Sequence, residues 1–149
     1  MPEKETIERA RKDKREGKAA STQAGEFVRE EIEHVREGKH GVRSTKQAIA
    51  IGLSKARRAG VKLPAPEKGE APASTRRSAK QALERARSRK KPSAKRSRAA
   101  RAALKDEGRA AASKTALSRH AHAAAKKRTA RERSASARKA ARTRARKTA

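Results

Sequence analysis

Ser44-Thr-Lys-Gln-Ala-Ile-Ala-Ile-Gly-Leu-Ser-Lys-Ala-Arg-Arg-Ala-Gly60 is the most informative stretch of the chain. It opens with a Ser and a Gln three apart. In this capping-box pattern the hydroxyl takes the Gln N–H and the Gln amide reaches back across the helix start. Ala48, Ile49, Ile51, Gly52, Leu53 and Ala56 follow, and Gly60 supplies a stop, with Val61 and Leu63 placed to fold back as its hydrophobic contact. Working outward, Phe27, Val28, Ile32 and Val35 lay an apolar stripe on an earlier segment that Ser21 or Thr22 can cap and Gly38 can end. Lys39-His40-Gly41 then reads as a turn. The expectation is an antiparallel helical hairpin over residues 21–63, with the Ile49/Leu53/Ala56 side packed on Phe27, Ile32 and Val35. Lys46, Arg43, Arg57 and Arg58 should lie on the opposite, outer side, and Phe27 should be buried. Self-association through the hairpin would help so small a core.

The rest of the 149 residues is not expected to extend that core. Charged residues make up 40% of the chain and hydrophobic ones 33%, and the formal charge is +28. Such a composition excludes a single large globular domain, because burial cannot offset the entropy of ordering the chain. Cysteine is absent, so disulfides, thiol nucleophiles and Cys-based metal or redox sites are excluded. The longest charge-free stretch with apolar content, Gln47–Ser54, is far too short to cross a membrane, and the N-terminus does not read as a signal peptide. These features imply a soluble cytoplasmic protein.

Charge is unevenly distributed. Residues 1–40 carry ten basic and ten acidic side chains, whereas residues 71–149 carry 27 and four. Glu30, Glu31, Glu33 and Glu37 read as a solvated acidic face able to contact the basic half, and His34 and His40 as exposed residues beside the turn. Past residue 70 the only large aliphatics are Leu83, Leu104 and Leu117, among 25 Ala. Four regions are expected: a charged, frayed helix at 1–20, the hairpin at 21–63, a Pro-rich linker at 64–73, and a basic tail at 74–149. The fold class is therefore mostly α, a small helical hairpin followed by a long intrinsically disordered tail. Ala, Arg, Lys and Leu give that tail helix propensity, with starts at Ser74, Ser93 and Ser113 and helix formation expected on binding a polyanion.

Two sharper readings of the motifs are weak. Ala48, Gly52, Leu53 and Ser54 resemble the turn of a helix-turn-helix, with Ile51 and Val61 at positions that should be apolar. Gln47 and Arg58, however, fall where that pattern wants buried aliphatics, and burying Arg58 without a partner is costly. One continuous helix is the better reading. His120 and His122 are two residues apart, which places them on different sides of a helix. No catalytic residue, cofactor or metal ligand is expected.

Ser44–Gly60, preceded by Val35-Arg-Glu-Gly-Lys-His-Gly41, resembles the signature of a small bacterial domain family of unknown function whose members are often labelled DNA-binding or plasmid-stabilisation proteins. The likeness covers residues ~27–61 and implies no activity. The tail, including Lys91-Pro-Ser-Ala-Lys-Arg96, is similar in composition to bacterial histone H1-like tails. Its charge points to DNA, coated through its phosphates with little sequence preference in the manner of a nucleoid-associated protein. The expected contacts are Arg76, Arg77, Lys90, Lys91, Lys95, Arg96, Arg98, Arg101, Lys105, Lys126, Lys127, Arg128, Arg138, Arg142, Arg144 and Arg146. Arg98, Arg101 and Lys105 share one helical face, as do Arg138, Arg142 and Arg146. The alternatives are an RNA- or ribosome-associated basic protein and a hydrophilic stress-protective protein.

Overall fold

The computed structural model describes residues 2–88 and 93–148. Among them are seven α-helices and no strand: α1 (Lys4–Arg15), α2 (Ala20–Arg36), α3 (Thr45–Arg58), α4 (Ala73–Ser88), α5 (Ala94–Lys105), α6 (Lys114–Lys126) and α7 (Ala130–Thr148), with a 3-10 turn at Ala110–Ala112. They fall into two compact units, Met1–Ser113 and Lys114–Ala149.

The first unit is built around the α2–α3 pair. The Ser44 hydroxyl accepts from Gln47 N at 3.2 Å, and Gln47 Oε1 reaches back to Arg43 N at 2.8 Å, one residue further out than the ideal box. Helix α3 ends in a Schellman motif. Gly60, at φ +92°, sends its N–H to Arg57 O, and Val61 sends its own to Ala56 O. Gly38, at φ +79°, ends α2 in the same way, with Gly38 N on Val35 O and Lys39 N on His34 O. Helix α2 begins at Ala20 without a side-chain cap, so neither Ser21 nor Thr22 serves as one.

Two apolar clusters hold this unit. Ala10, Ala24, Phe27, Ala56 and Val61 form the first, flanked by Ile7, Leu53 and Leu63. Val35, Val42, Ala48 and Ala112 form the second, flanked by Ile32, Ile51, Leu104 and Ala111. Phe27 is 1% exposed. Helix α3 is continuous through Gly52, where a Cβ would lie 2.6 Å from Val28 Cα; the glycine is there to let two helix backbones touch. Helix α1 packs on α2 with Thr6, Ala10 and Asp13 buried, so it is not the solvated, frayed segment expected at residues 1–20.

The disordered tail is not what the chain adopts. Beyond residue 73 the described residues are mostly helical. The three leucines were too narrow a measure of what this half can bury. Ala79 and Ala82 on α4 are buried, and α4 packs on α3. Further along, Leu104, Ala111 and Ala112 complete the second cluster. Gly41 N bonds to Leu104 O at 2.8 Å and Val42 N to Gly108 O at 2.9 Å, while Arg43 pairs with Glu107. The unit therefore runs on past the Pro-rich 64–73 stretch to Ser113.

The second unit is different. Residues 121–146 are all exposed, and local interactions hold the helices. Thr129 and Glu132 make a complete capping box at the start of α7. Glu132 Oε2 takes the Thr129 N–H at 2.7 Å, and Thr129 Oγ1 takes the Glu132 N–H at 3.2 Å. Arg133 Nη1 donates to the Arg128 carbonyl at 3.1 Å and, alongside the Arg128 N–H, to the Ala125 carbonyl at 3.4 Å, tying the start of α7 to the end of α6.

Candidate nucleic-acid interface

Among the described residues, the cationic side chains read from the sequence sit on helices or, for Lys127 and Arg128, in the turn after α6, and all but one are exposed. Arg77 lies on α4; Lys95, Arg96, Arg98, Arg101 and Lys105 lie on α5, which buries none of its residues. Lys126 closes α6, Lys127 and Arg128 follow it, and Arg138, Arg142, Arg144 and Arg146 lie on α7. Arg76 is the exception: it is half-buried, with its Nε enclosed and without a hydrogen-bond partner. Lys90 and Lys91 lie outside the described residues.

Within each helix the register groups these charges. Arg98, Arg101 and Lys105 stand at i, i+3 and i+7 on α5, started by Ser93, whose hydroxyl faces Arg96 N at 3.5 Å. Arg138, Arg142 and Arg146 stand at i, i+4 and i+8 on α7, and Arg144 lies off that line. Like charges at this spacing repel, and an anion laid along them relieves the repulsion. Lys95 and Arg96 add charge in the first turn of α5, the end where the helix dipole is already positive. Arg128 is the most constrained of the set. Its guanidinium donates to Glu132 O at 3.1 Å and to the Ser136 hydroxyl.

The basic face expected on α3 is only partly there. Lys46 and Arg58 are exposed, and Arg43 keeps most of its side chain in solvent while pairing with Glu107 at 2.9 Å. Arg57 points the other way. It is 6% exposed, donates to Leu63 O at 3.2 Å and Pro64 O at 3.0 Å, and its burial lowers its pKa from the usual value. Arg57 therefore fastens the segment after α3 and is removed from the candidate phosphate contacts.

The acidic residues of α2 also depart from expectation. Glu30 and Glu31 are buried rather than part of a solvated face, and Lys55 of α3 lies 3.1 Å from Glu30 and 2.7 Å from Glu31. Burial pushes the Glu30 carboxyl up. The Glu3 N–H, the Thr6 hydroxyl and the Lys55 ammonium more than reverse that, leaving it below the usual carboxylate range. Both carboxylates are buried, so they do not form a solvated face that could attract the basic half. His34 and His40, expected exposed, keep only 13% and 18% of their side chains in solvent. Sequence spacing gives no sign of this cluster, because Lys55 and Glu3 reach it from other elements.

The description is therefore of a helical domain whose later helices carry uncompensated positive charge. Residues 3–68 match the model of a family of unknown function (DUF6496). The match takes in α1 as well as the hairpin, is wider than the 27–61 likeness read from the sequence, and stops before α4. It carries no DNA-binding label and does not extend to the histone-like composition of the later half. Neither a curated protein nor a solved structure matches the chain.

Proposed function

We propose that this protein binds DNA through its phosphates, with little regard to sequence, and acts as a histone-like nucleoid or plasmid-maintenance factor. The observation that carries the reading is the line of exposed arginines along α7 together with the Arg98/Arg101/Lys105 face of α5. Residues 114–149 alone hold 13 basic side chains against the single acid Glu132, a density suited to a phosphate polymer. Each phosphate neutralised releases condensed counterions, and that release drives association. The arginine excess, 17 Arg to ten Lys beyond residue 70, suits forked phosphate contacts. Base stacking has little support, since the chain has no Trp or Tyr and its one Phe, Phe27, is buried. Glu132 caps its own helix and does not offset the arginines further along α7.

Fluorescence anisotropy of a labelled duplex across a sodium chloride series tests this. The expected result is a steep log–log salt dependence, and replacing Arg138, Arg142 and Arg146 with Gln lowers the slope by about 0.9 per lost contact, roughly 2.7 in all. Affinity that ignores salt, or that survives the triple substitution unchanged, overturns the proposal. Structured RNA preferred over duplex DNA at fixed salt would transfer the reading to an RNA-associated protein. Loss of all binding already at about 0.3 M salt would favour a hydrophilic protective role.

A further inference from the structure

We propose that Glu31, His34 and His40 form a divalent transition-metal site, with Zn2+ the leading occupant, that clamps the turn between α2 and α3. Glu31 and His34 stand at i and i+3 on α2, and His40 comes from the turn, four residues past the last residue of the helix. One ligand atom from each lies within 4.8 Å of the others. Two imidazoles and a carboxylate are a borderline nitrogen and oxygen donor set that suits Zn2+. Ligands on a tetrahedral zinc are about 3.3 Å apart. The His40 Nε2 to Glu31 Oε1 distance is already 3.2 Å, so the remaining contraction falls to side-chain rotation.

The charge balance asks for a cation there. Glu31 is fully buried, and neither of its oxygens accepts a hydrogen bond of good geometry. Lys55 Nζ stands 2.7 Å from Glu31 Oε2, but the same ammonium serves Glu30 at 3.1 Å. Two buried carboxylates thus share one ammonium, and the excess negative charge is costly away from water. On the outer side Lys39 is shared between Glu37 at 3.0 Å and Glu3 at 3.2 Å.

The rings are also polarised for coordination. His40 Nδ1 lies 3.0 Å from the Gly41 carbonyl and donates to it, which leaves the Nε2 lone pair of a neutral ring aimed at Glu31 Oε1. Two lone pairs facing each other need a proton or a metal between them. His34 Nε2 lies 2.8 Å from Glu3 Oε1; where that nitrogen donates to Glu3, Nδ1 is the one left for a metal. A carboxylate or carbonyl behind the ligating imidazole is the usual outer support of a metal-bound histidine. The clamp joins the end of α2 to the turn in a domain that has no disulfide.

Zn2+ titration of the full chain by calorimetry, with imidazole NMR of the same unmodified protein, tests the site. The expected result is one saturable ion with a Kd of about 1 μM or tighter. The His34 and His40 resonances shift while those of His120 and His122 do not, and chelator lowers the Tm of the loaded protein. His40→Ala should weaken binding by about 100-fold or more, and Glu3→Gln, behind His34, by about 10–100-fold. The combined His120→Ala and His122→Ala variant should bind as the original does. The proposal is overturned by the absence of saturable binding, by shifts confined to His120 and His122, or by a Tm that follows imidazole protonation and ignores Zn2+, in which case a proton holds Glu31 and His40 together. Because the NMR arm uses the unmodified chain, a variant that fails to fold does not shield the proposal.

Discussion

Gly52 and Gly25 show how much one hydrogen atom can carry. Both lie inside helices, yet a Cβ at Gly52 would meet the Val28 and Phe27 backbones at 2.6–3.0 Å, whereas one at Gly25 would meet nothing within 4 Å. Backbone cannot rotate aside as a side chain can. Gly52→Ala should therefore force α2 and α3 apart and cost about 1–3 kcal/mol in a urea melt. Gly25→Ala should instead stabilise by about 0.5–1 kcal/mol, because the unfolded chain loses freedom and nothing is crowded. Equal effects at the two positions would remove the close-approach account of Gly52. The sequence places Ile49, Leu53 and Ala56 on the buried side of α3, whereas the buried residues are Ala48, Gly52, Ala56 and Arg57, and Ile49 joins neither cluster. Nothing in the stripe marks Gly52 as the crossing point. A glycine in a helical run reads equally well as a turn, as the helix-turn-helix likeness of Ala48, Gly52, Leu53 and Ser54 illustrates. Arg57 is unreadable for a related reason. Its partners are the Leu63 and Pro64 carbonyls, and backbone acceptors have no residue signature.

Among the elements, α2 and α3 are the legible ones, since large aliphatics at helical spacing and a Ser/Gln start leave few alternatives. Helix α1 hides because the face it buries is Thr6, Ala10 and Asp13, none of which registers as apolar periodicity, and Asp13 is satisfied by Lys18. The helices of the basic half hide similarly. Alanine buries little area per residue, but Ala79, Ala82 and Ala112 come against preformed partners, and Ala is the best of the helix formers. Helix α7, which buries nothing through residue 146, depends on its start. There the Thr129 N–H and hydroxyl hold the Glu132 carboxyl below its usual pKa of 4.5. A depressed carboxyl contributes stability that is present above its unfolded pKa and is lost as pH falls through the lower folded value. The first turn of α7 should thus be intact at neutral pH and loosen on acidification below 4.5, seen as changing amide shifts at residues 129–133. Thr129→Ala should loosen it at every pH. Amide shifts that ignore both changes would show that the cap does not hold the turn.

For the whole molecule, the family match and the folded unit end in different places, residue 68 and Ser113. Leu104, Ala111 and Ala112 cover the Val35/Val42/Ala48 cluster, Thr45 Oγ1 donates to Ala111 O at 2.6 Å, and Arg36 Nε donates to Ala112 O at 2.9 Å. A fragment of residues 1–113 should unfold in one cooperative step, whereas a fragment of residues 1–68 should melt earlier and bind a hydrophobic dye. If the shorter fragment is as stable as the longer, the covering segment contributes nothing.

Gly41 makes that seam intolerant of change. The position a Cβ would take is 1.7 Å from the Glu107 carbonyl oxygen, so any side chain there has to push residues 104–108 away. Relatives in which the cover is absent, or attached differently, are released from this demand. Wherever a homologous head carries alanine or serine at this position, its own C-terminal continuation should leave the turn bare, so one column of an alignment would sort chains that wear this cap from those that do not.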